Sequence, residues 1–136
     1  MTEVKELTLP SRLESVDDAA LSADAFAKRL GLGDEMISAI DLAVRESVAN
    51  AVKHGNRFDE NKLVEVRFTA SSEDFEVMVR DHGGGFDVDA VADPTDPENL
   101  LKACGRGILF MRAIMDHVEW TRHETGGMVV KMVKRK

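Results

Sequence analysis

One cysteine, Cys104, and no tyrosine occur in the 136 residues. A lone thiol cannot close a disulfide within the chain, so a reducing, cytoplasmic setting is expected. Long apolar runs are missing as well. The longest is ILFM at 108–111, far short of the roughly 20 residues a spanning helix needs, so no membrane role is expected. The opening MTEVKELTLP is charged and lacks the apolar stretch of a secretory leader. Basic residues are the minority, 18 Lys and Arg against 25 Asp and Glu, for a net charge of -7. A general nucleic-acid binder needs clustered Lys and Arg to neutralise phosphates, so direct nucleic-acid binding is not expected. What the chain does have is 43% hydrophobic and 32% charged residues. That mixture supports a core and argues against wholesale disorder. The length fits a single domain over residues 1–136, large enough to bury roughly two-thirds of its unfolded surface.

The order of elements follows from periodicity. Residues 4–10, VKELTLP, alternate and stop at Pro10, as a short edge strand does. Val16, Ala19, Ala20, Ala23, Ala27 and Leu30 recur at helical steps before Gly31. Ile37, Ile40, Val44, Val48 and Ala51 form one stripe of a helix expected over 34–54, closed by Gly55. LVEVRFTA and DFEVMVRD read as two strands joined by Ser71–Ser72–Glu73. An acidic stretch with Pro94 and Pro97 then runs to Cys104, long for an ordinary connection. Residues 105–116 are apolar almost all round and read as a buried helix, and VEWTRHE and MVVKMVK as a hairpin around Gly126–Gly127. This is not the alternation of a doubly wound sheet. An α+β, two-layer sandwich is expected, a mostly antiparallel mixed sheet with helices on one face.

Three features carry chemistry. Steps of four set Glu46, Asn50 and His54 on a polar stripe, where a carboxylate can accept a hydroxyl proton and an amide oxygen can join a Mg²⁺ shell. The plain alternative is a solvated helix face. Asp81 shares a strand face with Phe75, Val77 and Val79, the core face, where an ionised carboxylate is costly unless bonded. Gly83–Gly85 follow it and admit close backbone approach to a ligand. A buried acceptor there suits a planar amine such as that of adenine; an Asp-initiated glycine turn is the equal alternative. Gly105–Arg106–Gly107 open an apolar helix, where free amides favour an anion.

In this order the three features, Glu46-X3-Asn50-X3-His54, then Asp81-X-Gly83-X-Gly85, then Gly105-X-Gly107, resemble the GHKL ATPase superfamily. RESVANAVKHGN at 45–56 and RDHGGGF at 80–86 are similar to the anti-sigma factor serine kinases of the RsbW and SpoIIAB type. The resemblance covers nearly the whole chain and implies the Bergerat ATP-binding fold. It implies that Glu46 is the general base for an incoming serine, that Asn50 holds Mg²⁺ and that Asp81 takes the adenine amine. Gly83 and Gly85 would shape the adenine-side turn, with Lys53, His54 and Phe86 completing the nucleotide contacts. Residues 86–104 would be the ATP lid, and Gly105, Arg106, Gly107 and Ile108 would meet the phosphates. The implied partners are a STAS-domain anti-anti-sigma protein, which is phosphorylated, and a sigma factor, which is sequestered; homodimers are common. The chain departs from this pattern at Gly127–Met128, where relatives often carry Gly-Thr, and at Ala103–Cys104, where they often carry Arg. These departures keep a second expectation open, a non-catalytic ATP-binding module that controls a protein partner.

Overall fold

Alternating side chains and glycine- or proline-marked breaks divide the chain into the elements of a single sheet and its helical cover. In order these are β1 (Glu3–Leu9), α1 (Glu14–Arg29), α2 (Asp34–Asn50), β2 (Val64–Ala70), β3 (Asp74–Arg80), α3 (Gly107–Ile114), β4 (His117–Arg122) and β5 (Met128–Arg135). A π-helical turn, Ala51–Gly55, continues α2. The computed structural model describes residues 2–83 and 107–136, and for 107–110 the backbone.

The strands line up as β1-β2-β3-β5-β4. β1 lies at the edge, and β2 and β3 are joined by a tight turn. There the Ser71 N–H donates to the Asp74 carbonyl at 2.9 Å while the Ser71 hydroxyl accepts the Asp74 N–H at 3.1 Å. The two-layer α+β reading holds. All four described pairings are antiparallel rather than mixed.

Period-two alternation fills the inner face. Val64, Val66, Phe68, Phe75, Val77 and Val79 are buried, and so are Val130 and Met132 of β5. α1 meets this layer through Ala19, Ala20, Ala23 and Ala27, whose methyl side chains let it sit closely beside Ile40, Val44 and Val48 of α2. Three of the six phenylalanines, Phe26, Phe68 and Phe75, form a triangle with ring centroids 5.8 to 6.4 Å apart. Such pairs add about 0.5–1.5 kcal/mol beyond their burial, so this triangle anchors α1 to the sheet.

One boundary differs from the sequence expectation of a single helix over 34–54. Regular α-helix stops at Asn50, and the Asn56 N–H reaches back five residues to the Ala51 carbonyl at 2.8 Å. Single π turns of this kind concentrate at functional sites. Ala51 and Val52 of this turn are buried in the core, and the Asn56 N–H closes it.

Candidate functional site

The long helix starts with Asp34 and Glu35 in its first turn, which suit the positive end of its dipole. Its apolar stripe, Ile40, Val44 and Val48, is fully buried, and this turns Glu46 and Asn50 to a half-buried face. Lys53 and His54 are exposed on the π turn. Because that turn closes over five residues instead of four, the step from Asn50 to His54 is not the angular step from Glu46 to Asn50. Among the described residues no ion pair engages Glu46, whereas its neighbour Arg45 is held by Asp17 at 2.6 Å and Asp41 at 3.0 Å.

Asp81 sits where alternation puts it, on the core face at the end of β3, and is 6% exposed. Its Oδ1 accepts the Gly83 N–H at 3.1 Å and the Met128 N–H at 3.2 Å, and its own N–H donates to the Met128 carbonyl at 3.0 Å. Burial pushes the carboxyl above the ordinary Asp value. The Met128 and Gly83 amides, and the charges of His82 and Arg80, pull it back. A buried acceptor with a lifted pKa, held by backbone at the mouth of a strand, is the kind of group that marks a ligand site.

Three glycines press against this carboxylate segment. A methyl group on Gly55 would lie 2.2 Å from Asp81 Oδ2, and one on Gly83 only 1.7 Å from the Gly55 carbonyl oxygen. Gly127, at φ +86°, would bring a methyl within 2.0 Å of the Asp81 carbonyl oxygen. The end of the helical segment that carries Glu46 and Asn50 is therefore in direct contact with the turn that carries Asp81 and Gly83. Asn56, one residue beyond Gly55, donates from Nδ2 to Ser11 Oγ and accepts the His82 N–H at 2.8 Å.

The sequence reading missed three of these contributions. Gly55 and Gly127 read as a helix stop and a hairpin turn, and Asn56 was not singled out. Gly55 and Asn56 lie inside the quoted run RESVANAVKHGN, the one signal that could have drawn attention to them. Met128 presents no hydroxyl, but its backbone serves Asp81 from both its N–H and its carbonyl. Thr125, a hydroxyl in the turn of that hairpin, is held by Arg80 at 2.8 Å. Gly85, Phe86, the expected lid at 86–104, Gly105 and Arg106 lie outside the described residues. Gly107 is the first residue of α3, and Ile108 falls in its first turn. Asn50, half-buried at the end of α2, carries an amide oxygen, the kind of single protein donor that Mg²⁺ accepts beside phosphate and water.

Comparison with known proteins bears on the family and the fold. Residues 9–134 match the family described as the histidine kinase-like ATPase domain. A serine-protein kinase RsbW from Halalkalibacterium halodurans is 33% identical over 138 residues, covering 97% of this chain and 83% of that protein. The serine-protein kinase RsbW of Bacillus subtilis is 31% identical, covering 95% and 83%. A chain in the crystal structure of the SiaB-SiaC complex from Pseudomonas aeruginosa superimposes with a TM-score of 0.68 at 11% identity, over 95% of this chain and 88% of that one. That last likeness is one of fold.

Proposed function

The chain belongs to the histidine kinase-like ATPase domain family, among relatives that are serine-protein kinases of the RsbW type, and from that premise we propose how its residues work. The protein transfers the γ-phosphoryl group of ATP to a serine of a STAS-domain anti-anti-sigma protein. It acts in the cytoplasm and holds a sigma factor inactive while that antagonist is unavailable, as a homodimer. The observation that carries this reading is the buried, amide-held carboxylate of Asp81 in contact with the end of the helical segment bearing Glu46 and Asn50.

Asp81 accepts from the adenine amine, a hydrogen bond that a guanine carbonyl cannot supply. Gly83 and Gly55 leave no side chain between the helix end and the Asp81 turn, so the two pack directly and hold the acceptor in place. Asn50 contributes an amide oxygen to Mg²⁺, and Glu46 removes the proton from the incoming serine hydroxyl. Bound Mg²⁺ supplies charge neutralisation at the phosphates. Gly105, Arg106, Gly107 and Ile108 meet the phosphates at the start of α3, with the 86–104 segment as lid. Lys53, His54, Gly85 and Phe86 complete the nucleotide contacts. The net charge of -7 favours a basic partner surface and faster encounter with it.

A second reading, an ATP-governed regulator without transfer, is favoured by Met128, which lacks a hydroxyl, and by the engagement of Thr125 with Arg80. One experiment separates the two. Incubation with labelled ATP, Mg²⁺ and the STAS partner gives labelled partner with the natural protein and none with Glu46→Gln, while both bind ATP equally. ATP binding with no transfer by the natural protein supports the regulator, and transfer that survives Glu46→Gln removes Glu46 from the role of base.

A further inference from the structure

Asn56 is 1% exposed and satisfies its whole side chain. The two Nδ2 hydrogens are shared among Ser11 Oγ at 2.8 Å and the carbonyls of Lys62 and Leu63 at 3.0 and 3.1 Å, while Oδ1 accepts the His82 N–H at 2.8 Å. Its backbone N–H closes the π turn onto Ala51, and its carbonyl accepts the Asp59 N–H at 3.0 Å. One residue thus joins the loop before α1, the end of α2, the entry to β2 and the turn that leaves β3. The two residues after it, Arg57 and Phe58, stand at φ 51° and 59°. Non-glycine residues adopt that conformation only where their surroundings over-determine it, and such positions cluster at functional sites.

We infer that Asn56 is a positioning residue for adenine recognition, locking the Asp81–Gly83 turn to the end of the helix that carries Glu46 and Asn50. The inference rests on the nucleotide reading above. His82 lies between Asp81 and Gly83. With its N–H fixed by Asn56, the Gly83 N–H points to Asp81 Oδ1 and the acceptor keeps one direction. Without Oδ1 at that point, a half-buried donor is left unsatisfied and the turn reorients to find another partner. The π turn has a purpose in this arrangement. Its extra residue carries Gly55 and Asn56 onto the β3 turn, where Gly55 and Gly83 allow contact that no side chain would permit.

The test compares the natural protein, Asn56→Ala and Asn56→Asp, each at a temperature where it remains folded. Asn56→Asp keeps an acceptor for the His82 amide but loses the Nδ2 donor. The readouts are ATP affinity, affinity for inorganic tripolyphosphate, and amide hydrogen exchange at His82 and Gly83. Positioning predicts that Asn56→Ala loses tenfold or more in ATP affinity with tripolyphosphate binding unchanged. It also predicts exchange at both amides at least tenfold faster. Asn56→Asp, although it melts lower, keeps ATP affinity within threefold. Equal losses for ATP and tripolyphosphate, or unchanged exchange at both amides, overturn the inference. If Asn56→Ala does not fold, a folded Asn56→Asp that loses tenfold in ATP affinity overturns it equally. A natural protein that binds no ATP removes the nucleotide reading alone, because amide exchange still tests whether Asn56 holds the turn.

Discussion

Gly55→Ala is a substitution for which local and global reasoning give opposite signs. In a helical segment, exchanging Gly for Ala ordinarily stabilises by up to about 1 kcal/mol. Gly55 is not among the described glycines at positive φ, so backbone conformation does not demand glycine there. The new methyl, however, would lie 2.2 Å from Asp81 Oδ2 and 2.4 Å from Asp81 Cγ, where ordinary contact begins at 3.4 Å. The carboxylate must retreat by the difference, 3.4 less 2.2, or 1.2 Å. It is pinned by the Gly83 and Met128 amides at 3.1 and 3.2 Å and by its own N–H to Met128 at 3.0 Å. A shift of that size breaks at least one amide–carboxylate bond. Overpacking costs about 1–3 kcal/mol of stability. A displaced acceptor forfeits a charge-assisted bond to the adenine amine, about 2–3 kcal/mol. In affinity that is roughly 30- to 150-fold. Isothermal titration with ATP·Mg²⁺ and thermal unfolding measure the two effects. Gly33→Ala is the control, since a methyl there has no neighbour within 4 Å and φ is an ordinary -72°. If Gly55→Ala binds ATP within twofold of the natural protein and melts no lower, the contact between helix end and Asp81 is not what requires glycine.

Asp81→Asn separates stability from binding. Burial lifts the folded-state pKa of Asp81 above 3.8, so its favourable contribution to folding belongs to the protonated form and is lost as pH rises through the lifted value. Denaturant unfolding should therefore find the variant gaining on the natural protein as pH rises from 4 to 7, while ATP affinity falls by about 100-fold, roughly 3 kcal/mol; a pH-independent difference would contradict the sign. Asn50→Ala should weaken ATP binding about tenfold in Mg²⁺ and leave affinity in EDTA unchanged, and equal loss in both conditions would remove Asn50 from the metal shell. Arg45→Ala, which severs the pairs with Asp17 and Asp41, should cost no more than about 1 kcal/mol, less at high salt, and spare ATP affinity. A loss well above that would mean that this half-exposed pair holds α1 to α2 more firmly than surface pairs do.

Most of the scaffold was legible because its signals are local. Alternation in 64–70 and 74–80 names the buried face of the sheet correctly, including Asp81 at its end. The Ala spacing of α1 names the face that packs. Both hairpins are marked by turn residues that act within a few positions. The π turn was not legible, because Ala51 and Val52 continue the apolar spacing of α2 and nothing in AVKHG marks a change in winding. Nor was the role of Asn56, since its partners Ser11, Lys62 and His82 are set by how three crossings of the chain come together. Gly55 and Gly127 belong with it, for each is constrained by Asp81, a residue distant in sequence, while its neighbours in sequence suggest only a stop or a turn.

Asp81 is held by amide groups, not by side chains, and this changes what divergence at position 128 means. The Met128 N–H and carbonyl serve Asp81 whatever side chain they carry. That position can drift among chemical types without moving the acceptor, provided position 127 stays glycine and lets the strand approach. In the proposed reading, recognition at this end of the site depends on the path of the main chain and not on the side chain at 128.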